Sequence, residues 1–175
     1  EALQLRRAVD LDPLNADSRE SLGEEEFWMG QLDEAARDSK KGLELSPDAW
    51  PGPMLLSQVY VMQGRPQDAL PEIERVRTDA ARTWLSAVTY AALGRQKQSD
   101  AALKELIAKY SSRAASDVAW VYAFRNQRDE AFKWLDRAYA QREGNVAATN
   151  LEPLLKNLRS DPRYPAFLKK LNLPN

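Results

Sequence analysis

Apolar residues return at three- and four-residue spacing along most of the chain, in short stretches broken by Gly, Pro or Asn. That period marks amphipathic helices rather than strands. Between Pro13 and Pro47 it predicts two of them, Ala16–Met29 and Asp33–Leu45, meeting at Gly30. Gly23, Ala35 and Gly42 fall where the two helices of a tight hairpin have to touch. Upstream, Glu1–Leu11 places Leu3, Ala8 and Leu11 on one face and Arg6-Arg7 on the other, and Pro13 ends that helix by disfavouring helical geometry in the residue before it. Downstream, Pro51–Gln63 reads as the next helix, with Pro51 and Pro53 tolerated in its first turn and Trp50 placed to staple its start. A helix from Pro66 carries the inward stripe Ala69, Ile73 and Val76, and Pro71 within it predicts a kink or a late helix start. Helices follow at Arg82–Gly94, Lys97–Lys109, Ala114–Arg125 and Asp129–Gln141, the last with Trp134 beside Leu135 and Ala138 as core. Gly144-Asn145 then breaks the chain, and two short amphipathic helices flank Asp161-Pro162, with Ser160 or Asp161 able to cap the second.

The punctuation is itself periodic. Pro13 and Pro47 are 34 residues apart, and Leu22, Glu26 and Gly30 return as Leu56, Tyr60 and Gly64 after another 34. Gly94 follows Gly64 by 30, so that unit is shortened, and Tyr90 precedes Gly94 as Tyr60 precedes Gly64. In the next unit Tyr122 and Ala131 keep register and Asn126 replaces the turn glycine, a substitution the turn survives because Asn tolerates left-handed geometry.

This spacing resembles the tetratricopeptide repeat, a helix–turn–helix unit of about 34 residues. Leu22-Gly23, Gly30, Ala35 and Pro47 stand at the family's Leu-Gly, turn-Gly, helix-B Ala and closing Pro, while Arg19, Glu26 and Gly42 replace its Trp, Tyr and second Ala. The resemblance implies an all-α fold, a right-handed superhelix of stacked helical hairpins forming one domain over residues 1–175. Its parts are a partial repeat (1–13), repeats at 14–47, 48–79, 80–112 and 113–144, and a C-terminal cap (145–175) over the apolar face of the last repeat. Leu158–Tyr164 also resembles the closing segment of bacterial multidomain regulatory proteins whose repeats follow an effector domain, and a start inside a second helix without Met reads as a piece of a longer protein or a processed chain.

Composition narrows the chemistry. A chain of 175 residues with 43% hydrophobic and 29% charged residues is that of a folded protein. No apolar run approaches the roughly 20 residues of a membrane-spanning helix, and no signal-peptide pattern opens the chain; the compartment stays open, with the cytoplasm favoured. With no His and no Cys, Ser/His/Asp and Cys/His nucleophiles, zinc fingers and disulfides cannot be built. Neither a calcium loop nor a Gly-rich phosphate loop is present, so no enzyme activity, cofactor or metal is expected. Net charge is −1, but residues 1–50 carry −7 and residues 51–175 carry +6. Arg82, Arg95, Arg113, Arg125, Arg128, Arg137 and Arg142 scatter over second-helix and turn positions instead of one face, so neither nucleic acid nor membrane is expected as a partner.

The candidate site comes from the resemblance. In the repeat family the first helices line a concave groove, which implies Glu20, Glu24, Phe27 and Trp28 from the first full repeat, with Asp17 beside them. The second repeat adds Met54, Gln58 and Met62, the third Trp84 and Val88, and the fourth Trp120 and Phe124. The family's carboxylate clamp needs Lys and Asn where this chain has Glu20, Glu24 and Trp28, which excludes it on charge. The expected function is a protein–protein interaction module or scaffold whose protein or peptide partner has apolar anchors and a basic end, as part of a larger bacterial regulatory protein. The alternative is a structural role: a homo-oligomer formed through oppositely charged ends, or packing on an upstream effector. Trp84 and Trp120, at helical spacing with Tyr90 and Tyr122, suit inter-repeat core better than a ligand platform. Phe27-Trp28 is the stronger surface pair, because neighbours about 100° apart on a helix cannot both face one core stripe, although one of the two can pack on the Glu1–Leu11 helix.

Overall fold

The computed structural model describes residues 2–47 and 51–174, and the regular structure among them is helical. Trp50, the expected helix staple, lies outside the described residues. Two compact units divide the chain, residues 1–85 and 86–175. The division falls inside helix α6 (Asp79–Ala92).

The first unit holds α1 (Ala2–Leu11), α2 (Ala16–Trp28), α3 (Leu32–Leu45), α4 (Gly52–Met62), α5 (Pro66–Arg75) and the start of α6. The predicted helices are present, with ends displaced by less than a turn. Asn15 starts α2: its Oδ1 accepts the Ser18 amide at 2.9 Å, satisfying one of the orphan donors of the first turn. The helix ends when Gly30 takes φ +75°, which lets the Gln31 amide reach back to the Glu26 carbonyl at 2.8 Å. The same turn recurs at Gly64 and Gly94, and at Asn126 with φ +58°, as the spacing predicts.

α2 and α3 then lie too close for larger residues at their contact. A Cβ on Gly23 would sit 2.7 Å from Ser39 Oγ, and one on Gly42 would sit 2.8 Å from Glu20 Cγ. Ala69, Ile73 and Val76 are buried as the α5 stripe requires. α5 starts at Pro66 and runs through Pro71 to Arg75, so the helix does not start late.

α1 departs from its expected orientation. Leu3 and Leu11 are 81% and 80% exposed, and Val9 is the buried residue instead. Arg6 stays exposed at the edge of α1, and its guanidinium reaches across to donate to Gln31 Oε1 at 2.7 Å and Glu26 Oε1 at 3.4 Å. The face that α1 docks is still apolar but rotated: Leu5 and Ala8 are half-buried and Val9 is buried, while Leu3 and Leu11 meet solvent.

The second unit contains the rest of α6, α7 (Gln96–Tyr110), α8 (Ala115–Phe124), α9 (Arg128–Gln141), two 3-10 turns (Gly144–Ala148 and Pro153–Leu158) and α10 (Arg163–Lys170). Ala119, Ala123, Ala131 and Leu135 form one core with Leu155, Leu158, Tyr164, Phe167 and Leu168 from the tail. Each buried Leu or Phe here contributes about 1.5–3 kcal/mol, which is what holds the tail on α8 and α9. Pro162 holds the N-cap position of α10, and Asp161, one residue before it, accepts the Arg163 amide at 3.0 Å. Of the two tail helices the sequence predicts, the first is a 3-10 turn. Trp134 is half-buried against the core, with the Arg137 guanidinium 4.7 Å from its ring centre.

The start of α8 is a second polar joint. The Glu143 carboxyl group accepts the Ala115 amide at 2.7 Å, the Ser116 amide at 2.9 Å and the Ser116 hydroxyl. Asp117 is buried beside it, and loss of solvent together with the Glu143 charge pushes its carboxyl up to about 7. Burial pushes Glu152 up to about 7 as well, against the opposing Leu154 amide and Arg159 charge.

Candidate partner-binding face

The residues expected to line a groove divide sharply by burial. On α2, Glu20 is 7% exposed and Phe27 only 2%, whereas Glu24 and Trp28 are half-buried. On α4, Met54, Gln58 and Met62 are all half-buried. On α6, Trp84 and Val88 are buried. On α8, Trp120 and Phe124 are half-buried. The structure therefore moves Glu20, Phe27, Trp84 and Val88 out of the contact surface and into the interior.

For Phe27 and Glu20 the reason is local. Phe27 and Trp28 do separate, as their roughly 100° offset demands. Phe27 is the member that enters the core, leaving Trp28 at the surface. Glu20 threads between two glycines: a Cβ on Gly52 would come within 2.8 Å of its Oε1, as one on Gly42 would of its Cγ. Burial raises the Glu20 carboxyl above its ordinary range, with a Gly52 backbone hydrogen bond opposing and the Asp17 and Glu24 charges adding. Nothing in the apolar period reveals this, although the paired small residues Gly42 and Gly52 are its sequence trace.

What remains in the first unit is a pair of stripes on two helices that touch. Glu24 and Trp28 are four residues apart on α2, and Met54, Gln58 and Met62 are four apart on α4, so each set lies on one face of its helix. The stripe offers a ring, two flexible thioethers, an amide and one carboxyl group. Burial, with the neighbouring Glu25 charge, raises the Glu24 carboxyl. Gln63 fastens the end of α4 to α3, donating to Asp33 Oδ1 at 2.7 Å, so the stripe sits on a fixed base. The second unit presents Trp120 and Phe124, also four apart, on one face of α8.

No protein-family model and no curated protein sequence matches the chain. Solved structures do. The chain is similar to TTC0263, a thermophilic TPR protein of Thermus thermophilus, with 23% identity, coverage of 96% of this chain and 89% of that one, and a TM-score of 0.58. It is similar to YrrB, a TPR protein with an unusual peptide-binding site, at 16% identity over 99% of this chain and 100% of that one, with a TM-score of 0.56. MamA aligns at 21% identity over 81% and 86% of the two chains, with a TM-score of 0.57. The fold is that of the tetratricopeptide-repeat proteins, as the 34-residue period and the left-handed turns at Gly30, Gly64, Gly94 and Asn126 indicate. Among the described residues, no helix is long and apolar enough to cross a membrane.

Proposed function

We propose that this chain is a non-catalytic interaction module whose repeats, at 14–47, 48–79, 80–112 and 113–144, hold a protein or peptide partner. The observation that carries the reading is the half-buried stripe of Glu24, Trp28, Met54, Gln58 and Met62 in the first unit. Aromatic and Met side chains left partly open on a fixed helical base supply adaptable contact area, and the acidic member favours a partner with basic residues near its apolar anchors. YrrB, which has the same fold, carries a peptide-binding site of its own, and this supports the reading. The role extends to a regulatory protein of bacterial type, in which the repeats would bring a partner to an effector.

The test begins with peptides selected by display on the purified chain, followed by fluorescence anisotropy with one labelled binder. Trp28→Ala and Met62→Ala should each raise Kd about tenfold, the equivalent of about 1.4 kcal/mol. Circular dichroism should show unchanged helix content. Unaltered affinity in both variants would remove the stripe from the binding surface.

A further inference from the structure

The departures from the repeat pattern at Arg19 and Glu26 meet in one place. They are seven residues apart and therefore share a face of α2. There they line a cavity of about 570 Å³ bounded by α1, α2 and α3 of the first unit. Where the family puts aromatic rings, this chain builds a polar hollow over a small apolar floor of Val9 and Leu22.

Its hydrogen bonding is unbalanced in one direction. Arg19 donates to Asp38 Oδ1 at 2.5 Å and Arg37 to Asp38 Oδ2 at 3.3 Å, so both oxygens of that buried carboxylate are taken. Glu26 is 2% exposed; among the described residues its Oε1 is held by Arg6 alone, at 3.4 Å, and none donates to its Oε2. A buried acceptor left without a donor is destabilising, more so when charged, and a guest that supplies the donor recovers that loss. Of the arginine donors, Arg6 and Arg37 are open to water, their side chains 47% and 66% exposed, and the more buried Arg19, at 20%, is committed to Asp38. Glu34 and Asp10 also line the hollow, giving four acidic groups to three arginines, within a first fifty residues of net charge −7. An anion would have to sit against Glu26 and Asp38. A cation meets an acceptor that lacks a donor and a field of the right sign.

We propose that this cavity receives a single basic side chain, arginine or lysine, of a protein partner, which donates to Glu26 Oε2 beside the Arg6 side chain. The site uses residues other than the Trp28 and Met62 stripe, so the two stand or fall separately. Arg6 is its competitor: a guanidinium already resting at long range on the carboxylate the guest needs.

The experiment is an amide-resolved NMR titration of the 175-residue chain with Nα-acetyl-arginine amide, with Nα-acetyl-norleucine amide and inorganic phosphate as separate titrants. Arginine amide should give saturable shifts at Glu26, Gln31 and Asp38, with a Kd on the order of a few millimolar for one side chain. Norleucine amide and phosphate should leave those resonances in place. Glu26→Gln should weaken the arginine compound at least tenfold, and Arg6→Ala should tighten it several-fold by removing the competing cation. Shifts that do not saturate, that persist in Glu26→Gln, or that appear with phosphate or norleucine amide instead would overturn the assignment. The wild-type titrations with the two control compounds decide the matter even where a variant unfolds.

Discussion

The joint at the start of α8 makes stability depend on pH in an unusual direction. Folding raises the Asp117 carboxyl from 3.8 to about 7 and the Glu152 carboxyl from 4.5 to about 7. Both groups bind protons more tightly in the folded chain than in the unfolded one. Their stabilising contribution is then complete below about pH 4, declines as pH rises through the interval to about 7, and is gone above it. A shift of about three pH units for Asp117 corresponds to about 4 kcal/mol, and that for Glu152 to about 3 kcal/mol. Loss of solvent is the main cause of both shifts; at Asp117 the Glu143 and Glu152 charges add to it and a hydrogen bond from Asn145 opposes, and at Glu152 the Leu154 amide and the Arg159 charge oppose. Asp117→Asn removes one of the titrations while keeping the shape and a hydrogen-bonding partner for Asn145. Urea denaturation followed by circular dichroism at pH 4.5, 6, 7 and 8 measures the consequence. The wild-type chain should lose stability steadily across that series. Asp117→Asn should be close to wild type at pH 4.5 and more stable than it by about 2–4 kcal/mol at pH 8. A wild-type stability that is flat or rises from pH 4.5 to 8 would refute the reasoning, as would an Asn variant that is no better at pH 8.

Phe27→Ala should behave as a core truncation rather than a loss of contact surface. At 2% exposure the ring leaves a cavity, and thermal unfolding should report a loss of about 3–5 kcal/mol. Asn126→Gly should be neutral or slightly stabilising, because φ of +58° suits glycine, whereas Asn126→Val should cost about 1–2 kcal/mol or more. The same denaturation assay separates the two, and equal effects would show that the left-handed turn is not what constrains this position.

The sequence by itself determined the helices, their order and their turns. Period, Pro and Gly act within a few residues, so Gly30, Gly64 and Gly94 could be read as left-handed turns, and Asn126 as their equivalent, without knowing what packs on what. The Ala69–Ile73–Val76 stripe was legible for the same reason, as was the acceptor that Asp161 offers to the first amide of α10. The site was legible only in part. Helical periodicity places residues on faces but does not say which neighbour covers a face; the groove residues came from the family resemblance, and of these Glu20, Phe27, Trp84 and Val88 are buried while Trp28 and the α4 stripe stay partly open. Two glycines brought α3 and the start of α4 close enough to enclose Glu20. α1 docks through Leu5, Ala8 and Val9, which leaves Leu3 and Leu11 in solvent, and acceptors on α2 and in the turn after it hold the exposed Arg6 at the edge of that contact. Polar groups are exposed or buried according to whether a partner from a distant part of the chain meets them, and only the tertiary structure supplies that partner.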